Sequence, residues 1–264
     1  MNRLFNKITP PIISDLLSVI RKKIKPVKYQ EPCVNDLCKY ISLKSKDLLI
    51  IGLGKGIEVP IFISKGCNKV EAVEPYPVID ENIFGSQFRL IKSNAESMPV
   101  IMDNTYDIVY SVATLEHIHD PYAAVKEMMR VLKPGGVFYC HAGPLWYSHY
   151  GYHAKKEYPA LYEHWFHLIY SKEEYIKKRK DISNSNEYIG RINRIYNSPQ
   201  YNRLPSHIYY EIVSNLIHDH IPLRISFNFG SECFLDDVFK NKLSKYDLRD
   251  LITESFTIVL RKIK

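Results

Sequence analysis

No stretch of this sequence approaches the roughly 18–20 consecutive apolar residues that a membrane-spanning helix needs. Residues 1–7 also lack the apolar core and the small-residue cleavage site of a secretory signal. The five cysteines among 264 residues show neither C-x-x-C pairing nor a regular framework, which argues against a redox motif and against a disulfide scaffold. We therefore expect reduced thiols in a cytoplasmic protein.

The composition is otherwise that of an ordinary globular protein, with 45% apolar and 25% charged residues. The length permits one substantial core, with or without a smaller accessory segment. A formal net charge of +7 favours an anionic partner: a phosphorylated small molecule, a nucleic acid or a membrane surface. A generically basic surface explains the same charge, so charge alone does not choose among these partners.

The chain is organised around a short apolar run, residues 47–51, that ends in glycines at every second position: Gly52, Gly54 and Gly56. This pattern predicts a buried parallel strand, a tight turn and the start of a helix. Such a turn lets a ligand approach the backbone, and the free N–H groups of the helix start favour negative charge. The third glycine of the dinucleotide-binding pattern G-x-G-x-x-G would fall at position 57, where the sequence has Ile57. The spacing therefore argues against an NAD-binding turn.

Strand and helix signals alternate after this turn, which predicts an α/β fold built from parallel βαβ units. Two further apolar runs after residue 220 are expected to close the same sheet as an antiparallel pair. Ligands of such sheets bind beyond the carboxyl ends of the strands. The predicted strands are residues 47–51, 70–74, 88–91, 106–111, 137–141, 223–227 and 256–260, and the main helices between them are residues 56–65 and 122–131.

Four segments are expected along the chain. Residues 1–45 form an N-terminal helical cap, whose first helix over residues 10–25 is amphipathic and basic. Such a helix packs on its own domain more often than on a membrane, so we expect a membrane contact to be peripheral at most. Residues 46–141 form the cofactor-binding core, residues 142–220 a helical lid rich in His and Tyr over the strand ends, and residues 221–264 the closing strands.

Glu74 ends the second predicted strand, where a carboxylate can accept hydrogen bonds from both hydroxyls of an adenosine ribose. With four other segments, in order and at plausible spacing, it makes the chain resemble class I S-adenosylmethionine (SAM) dependent methyltransferases of the type 11 kind. That resemblance implies a Rossmann-like, mostly parallel seven-stranded sheet with SAM as the cofactor. The segments that carry it are Ile51–Gly56, Ala72–Pro75, Ser93–Pro99, Tyr106–Ser111 with Leu115–Pro121, and Met129–Gly136.

The resemblance also implies a role for each matching position. The glycine turn would pass close to the methionine part of SAM, and Glu74 would hold the ribose hydroxyls. Residues 94 and 95 would face the adenine, while the end of the fourth strand and the turn after it would shape the pocket near the methyl donor. The cofactor-binding residues implied in this way are Gly52, Leu53, Gly54, Gly56, Glu74, Pro75, Asn94, Ala95, Ser111 and His117.

Methyl transfer to a hydroxyl needs a base near the strand ends, and histidine suits that role at neutral pH. Histidines are dense from residue 141 onward, and the candidates for a catalytic role are His141, His149, His153 and His167. A hydrogen-bonded structural role is the alternative for each of them. His153 and His167 with Glu157 or Glu163 also supply donors for a metal, but no recognised spacing supports one, and we predict no metal site.

The opening residues 8–13 and the Gly143–Trp146 segment with the His-rich stretch after it further resemble methyltransferases of bacterial surface-polysaccharide (capsule) biosynthesis. This implies O-methylation of a small anionic acceptor, such as a sugar hydroxyl or a phosphoryl or phosphoramidate group, carried on a nucleotide. Alternatives are an RNA or N-methyltransferase, a SAM-binding protein without catalysis, and an NAD(P)-binding oxidoreductase. A nucleic-acid partner is disfavoured, and the sequence does not predict an oligomeric state.

Overall fold

The computed structural model describes residues 30–153, 158–161, 163–230 and 241–263. The predicted N-terminal helix over residues 10–25 and the candidate metal donor Glu157 lie outside these ranges. Seven strands form one sheet in the order β3-β2-β1-β4-β5-β7-β6. In chain order they are β1 (Asp47–Ile51), β2 (Lys69–Val73), β3 (Phe88–Ile91), β4 (Tyr106–Val112), β5 (Leu132–Ala142), β6 (Ile221–Phe229) and β7 (Thr253–Arg261).

The strand directions follow from the chain connections. Strands β1 to β5 pair in parallel because a helical or irregular segment returns the chain to the same edge each time. Strand β7 pairs antiparallel with both β5 and β6, so six strands run in one direction and β7 runs against them. The predicted antiparallel closing pair is thereby confirmed, and both of its strands are longer than the predicted runs.

Helices cover both faces of the sheet because the central strands are apolar on both sides. The helices of this sheet layer are α1 (Gln30–Leu37), α2 (Glu58–Ser64), α3 (Pro121–Val131) and α7 (Ser206–Asp219). Leu49 and Ile51 of β1 pack into the cluster beneath α3 and α7, while Leu48 and Ile50 pack into the cluster beneath α1 and α2. A strand buried on both faces has a continuous apolar run, as this one does.

The segment between β5 and α7 has an apolar core of its own. We call residues 143–205 the insertion; its helices are α4 (Phe166–Ile169), α5 (Lys172–Lys178) and α6 (Asn186–Asn197). Its buried side chains are largely aromatic and include Trp165, Phe166 and Tyr175, and α8 (Leu248–Ile252) contributes to the same cluster. The last helix of the predicted lid over residues 142–220 is α7, whose buried side chains pack in the sheet layer.

One arginine holds the loop after β3 that carries the predicted adenine contacts. The guanidinium of Arg130, on α3, donates to the carbonyl oxygens of Ile101 at 2.8 Å and Met98 at 3.0 Å. The neighbouring Glu127 accepts from the Met98 amide at 2.7 Å. Hydrogen bonds to charged groups are stronger than neutral ones, so α3 fixes this loop against the sheet.

Candidate active site

The glycine turn has the backbone conformation that its sequence predicted. Gly52, Gly54 and Gly56 have φ of 80°, 51° and 63°, in the left-handed region that favours glycine. A Cβ atom on Gly52 would lie 2.1 Å from the Oγ1 atom of Thr114, a residue of the loop after β4. The Gly52 amide donates to the Val73 carbonyl oxygen at 3.0 Å, so the turn sits where β1, β2 and β4 all end.

The carboxylate of Glu74 lies against this turn. Its Oε2 accepts a hydrogen bond from the Leu53 amide at 3.1 Å, and its Oε1 accepts one from the Tyr76 amide at 3.1 Å. Pro75, between them, is half-buried, whereas the Tyr76 side chain is 82% exposed. A carboxylate has room for further donors beyond these two amides, so it remains able to accept from ligand hydroxyls.

The predicted adenine contacts lie on the loop after β3. Asn94 is exposed, and Ala95 beside it is buried. The Ser97 amide donates to the Asn94 carbonyl oxygen at 3.3 Å, which folds this loop into a short turn at the carboxyl edge of the sheet. The exposed amide of Asn94 can form hydrogen bonds with a ligand, and the small side chain of Ala95 beside it can form an apolar contact.

Ser111 does not line an open pocket. It is fully buried in β4, directly opposite Cys140 of β5, so its hydroxyl lies beneath the strand ends. The sequence placed it correctly at the end of a strand, but its side chain faces into the packed layer under α3 and α7. The role near the methyl donor that the resemblance implied for Ser111 stays a prediction.

A buried acid follows β4 in a short 3₁₀ helix, Leu115–His117. Glu116 is 4% exposed, and burial raises the pKa of its carboxyl. Its Oε1 accepts from the Gly143 amide at 3.0 Å, whereas its Oε2 has no hydrogen-bond partner among the described residues. His117, also predicted at the SAM pocket, lies beside it, with Nδ1 2.8 Å from the Gln200 carbonyl oxygen.

Three of the four candidate catalytic histidines contact different partners in different parts of the structure. His141 lies on β5 with Nδ1 2.9 Å from Thr257 Oγ1, and burial lowers its pKa. His149 pairs with Glu254 at 2.9 Å. His167 is buried in the aromatic core of the insertion, with Nε2 2.7 Å from the Trp146 carbonyl oxygen, and burial lowers its pKa to about 4.

The fourth, His153, lies beside the turn after β4. Its ring centroid is 4.9 Å from that of His117. Burial, with His117 nearby, lowers its pKa to about 3, so the imidazole is neutral at pH 7. Glu116, His117 and His153 each offer one donor atom, and these three atoms lie within 4.8 Å of one another. We call these three residues the Glu116 cluster.

This arrangement differs from the metal donors that the sequence suggested. Glu163 pairs with Lys178 of α5, and His167 donates to a backbone oxygen, so neither joins His153. The residues brought to His153 come from the turn after β4, 36 positions earlier in the chain. No spacing within the His-rich stretch could reveal that approach.

Arg191 of α6 is a member of the site that the sequence analysis missed. Its side chain is buried, and its Nη2 donates to the His153 carbonyl oxygen at 2.8 Å. Its Nε has no hydrogen-bond partner, and no carboxylate pairs with it among the residues that the structure describes. A buried guanidinium with a free donor beside the Glu116 cluster gives this part of the site a positive charge.

Comparison with known proteins identifies the central part of the chain. Residues 49–140 match the model of the methyltransferase domain family. The chain is 32% identical over 152 residues to an uncharacterized methyltransferase of Schizosaccharomyces pombe, covering 51% of this chain and 50% of that protein. It is 28% identical over 120 residues to a ubiquinone biosynthesis O-methyltransferase of Pseudomonas putida, covering 43% and 52%. The chain spans about half the length of these curated relatives.

A solved structure supports the same fold. A protein of Galdieria sulphuraria, assigned as a sarcosine dimethylglycine methyltransferase, superposes with a TM-score of 0.54 at 15% identity, covering 89% of this chain and 85% of that one. The predicted Rossmann-like fold with a mostly parallel seven-stranded sheet is confirmed. The family match over residues 49–140 and the fold both agree with the resemblance to class I SAM-dependent methyltransferases that the sequence motifs carry. Within the described residues, no helix is both long and apolar enough to cross a membrane.

Proposed function

We propose that this protein transfers the methyl group of SAM to an oxygen of a small anionic acceptor. The observation that carries the cofactor assignment is the contact of Glu74 with the Leu53 amide at 3.1 Å. It fixes a carboxylate at the glycine turn, where a ribose diol would find its acceptor. Gly52, Gly54 and Gly56 would border the methionine part, and Asn94 with Ala95 the adenine.

SAM supplies an activated methyl group on a sulfonium, so the chain's own task is to align an acceptor and to accept a proton from it. Of the four candidate histidines, His153 alone lies beside the buried acid that follows β4, close to the loop that touches Gly52. We propose that acceptor binding and proton removal take place at the Glu116 cluster.

Arg191 supports an anionic acceptor. This buried guanidinium has a free Nε donor and lies next to His153. By contrast, two of the cations on the more exposed α5 segment are already paired, Lys178 with Glu163 and Arg179 with Asp181. An anionic group such as a phosphoryl oxygen would satisfy the free donor of Arg191. Lys155 and Lys156, also considered for this role, lie outside the described residues.

The proposed biological setting is surface-polysaccharide biosynthesis, with a nucleotide-linked sugar or a phosphoramidate decoration as the acceptor. This setting is supported by the sequence resemblance of the Gly143–Trp146 segment and of residues 8–13. Oxygen as the methylated atom is in keeping with the O-methyltransferase of Pseudomonas putida among the relatives.

A direct test is to incubate the purified chain with SAM and a panel of nucleotide-activated sugars, and to measure S-adenosylhomocysteine release. The proposal expects turnover on at least one anionic sugar. An Arg191→Gln variant should lose about 10- to 100-fold in kcat/KM, in proportion to one lost charge-assisted contact. Arg194→Gln, an exposed position on the same helix, is the matched control and should keep its activity.

The other outcomes separate the alternatives. Salt-sensitive retention and methylation of RNA would replace the small acceptor with a nucleic acid. Turnover only on amines would make nitrogen the methylated atom. SAM binding without turnover on any acceptor would favour a non-catalytic SAM-binding partner. A chain that binds NAD(P) and not SAM would be an oxidoreductase, and the proposal would fail.

A further inference from the structure

The Glu116 cluster brings together three metal-ligand side chains from two distant parts of the chain. Glu116 and His117 lie in the turn after β4, and His153 lies in the insertion. One carboxylate and two imidazoles form a donor set that proteins use for zinc sites that keep an open position. The three donor atoms lie within 4.8 Å of one another.

A backbone carbonyl group orients one of the two imidazoles. Nδ1 of His117 lies 2.8 Å from the Gln200 carbonyl oxygen, which makes that nitrogen the donor and leaves Nε2 with a free lone pair. The ring of His153 lies beside that of His117, with the two ring centroids 4.9 Å apart. A carbonyl group that fixes the tautomer of a histidine is the usual second partner of a metal-binding imidazole.

An independent observation indicates that Glu116 has a free ligand atom for a cation. Oε2 of Glu116 is buried without a hydrogen-bond partner among the described residues, although Oε1 of the same carboxylate accepts from the Gly143 amide. A buried carboxylate oxygen is costly unless a donor or a cation compensates it. The free oxygen belongs to the same group that meets the two histidines, so a cation at this position would satisfy all three side chains.

We propose that Glu116, His117 and His153 bind one divalent transition-metal ion of the Zn²⁺ class. Bonds of about 2.1 Å at tetrahedral angles separate two ligand atoms by about 3.4 Å. The widest pair of the cluster would therefore close by at most about 1.4 Å on binding, a distance within reach of imidazole rotation. Three protein ligands leave a fourth position open.

The open position has a use in the reaction proposed above. A bound Zn²⁺ lowers the pKa of an oxygen ligand, so a coordinated acceptor hydroxyl would release its proton to water at neutral pH, and the resulting alkoxide oxygen would take the methyl group as its bond to the SAM sulfur breaks. The guanidinium of Arg191, beside His153, would hold the anionic part of the same acceptor. Metal binding itself requires neither SAM nor an acceptor, so it is tested separately from methyl transfer.

The experiment is a Co²⁺ titration of the full chain after removal of bound metal with a chelator, followed by visible absorption, with Zn²⁺ competition as the second readout. The proposal expects one equivalent of tetrahedral Co²⁺, displaced by Zn²⁺. Glu116→Gln and His153→Gln should each weaken binding at least about tenfold. His218→Gln, at an exposed histidine on α7, is the matched control and should leave binding unchanged.

A His153→Cys variant distinguishes the loss of a metal ligand from a loss of folding. It keeps a ligand at this position, so it should bind Co²⁺ and add a thiolate charge-transfer band that the unaltered protein lacks. A folded protein that binds no Co²⁺ would overturn the proposal. So would a thiolate band already present in the unaltered protein, binding undiminished in the Gln variants, or bound Co²⁺ without the new band in His153→Cys.

Discussion

The sheet layer and the insertion are built by different means. In the sheet layer, the strands pair through backbone hydrogen bonds, and the important residues, such as Gly52 and Glu74, stand at strand ends in chain order. The insertion has no strands of its own among the described residues, and it is held by aromatic side chains and by polar side chains bonded to carbonyl groups. Phe166 stacks on Tyr175 at 4.1 Å, and the Tyr196 hydroxyl donates to the Tyr170 carbonyl oxygen at 2.9 Å.

This difference suits the two tasks of the proposed reaction, cofactor binding and acceptor recognition. The strand ends offer a fixed geometry, which suits a cofactor that is the same in every member of the class. The insertion can vary without disturbing the strand pairing, which suits recognition of an acceptor. The Glu116 cluster lies where the two meet, since two of its members follow β4 and the third belongs to the insertion.

The largest expected effect on stability comes from a substitution in the glycine turn. In Gly52→Ala, the new methyl group would lie 2.1 Å from Thr114 Oγ1, at φ 80°. Overpacking and backbone strain together should lower the free energy of unfolding by about 3 kcal/mol. Urea denaturation measures this loss. Gly54→Ala is the matched control, because its φ of 51° brings the strain alone and no atom lies within 4 Å; equal losses would contradict this explanation.

A smaller loss of stability, confined to the insertion, is expected when Arg203 is substituted. Arg203 donates through Nη2 to the carbonyl oxygens of Tyr196 at 2.9 Å and Ser198 at 3.1 Å, at the C-terminal end of α6. Arg203→Ala should lower the free energy of local opening by about 2 kcal/mol, since hydrogen bonds from a charged donor are lost. Amide hydrogen exchange should show faster exchange in α6 and unchanged exchange in β1 and β4. Equal acceleration in both regions would show that the insertion does not open by itself.

The sequence predicted the sheet layer well for physical reasons. Each strand has a short apolar run, and the left-handed residues of the turn after β1 are all glycine, so the residue pattern alone identifies Gly52 and Glu74. In the insertion, left-handed backbone occurs instead at His153, Trp165 and Arg203, with φ of 55°, 53° and 54°. Non-glycine residues adopt this conformation only in a small fraction of cases, so the sequence does not predict these turns.

For the same reason, the sequence does not predict that the members of the Glu116 cluster lie close together. From the sequence, Glu116 is only part of the turn expected to shape the SAM pocket. Its burial and its free oxygen depend on Gly143 and on the path of the insertion. His153 is one candidate among several similar histidines. Arg191 gives no signal, because a single arginine on an amphipathic helix is ordinary until its tertiary contacts are known.

The smallest expected effect concerns a buried acid of the sheet layer. Burial raises the pKa of Glu58, in the first turn of α2, from 4.5 to about 7. The carboxyl is therefore harder to ionise in the folded than in the unfolded chain, so stability should fall as pH rises from 4.5 to 7. Glu58→Gln should raise the free energy of unfolding by about 1 to 2 kcal/mol at pH 8 and leave it unchanged at pH 4.

Urea denaturation at the two pH values measures this change. Glu173→Gln, at an exposed acid of the insertion, is the control and should not alter the pH dependence. A Glu58→Gln gain of equal size at both pH values would show that packing, and not ionisation, limits stability at this position.

The central claim is that the glycine turn and Glu74 form the SAM site, and calorimetric titration with S-adenosylhomocysteine tests it most directly. The unaltered protein should bind, and Glu74→Ala should weaken binding at least about tenfold, since the acceptor for the ribose hydroxyls is lost. Glu81→Ala is the matched control, because Glu81 likewise accepts from a backbone amide, that of Leu90 at 2.8 Å, outside the glycine turn. Equal affinities of Glu74→Ala and the unaltered protein, or no binding by a folded chain, would contradict the account.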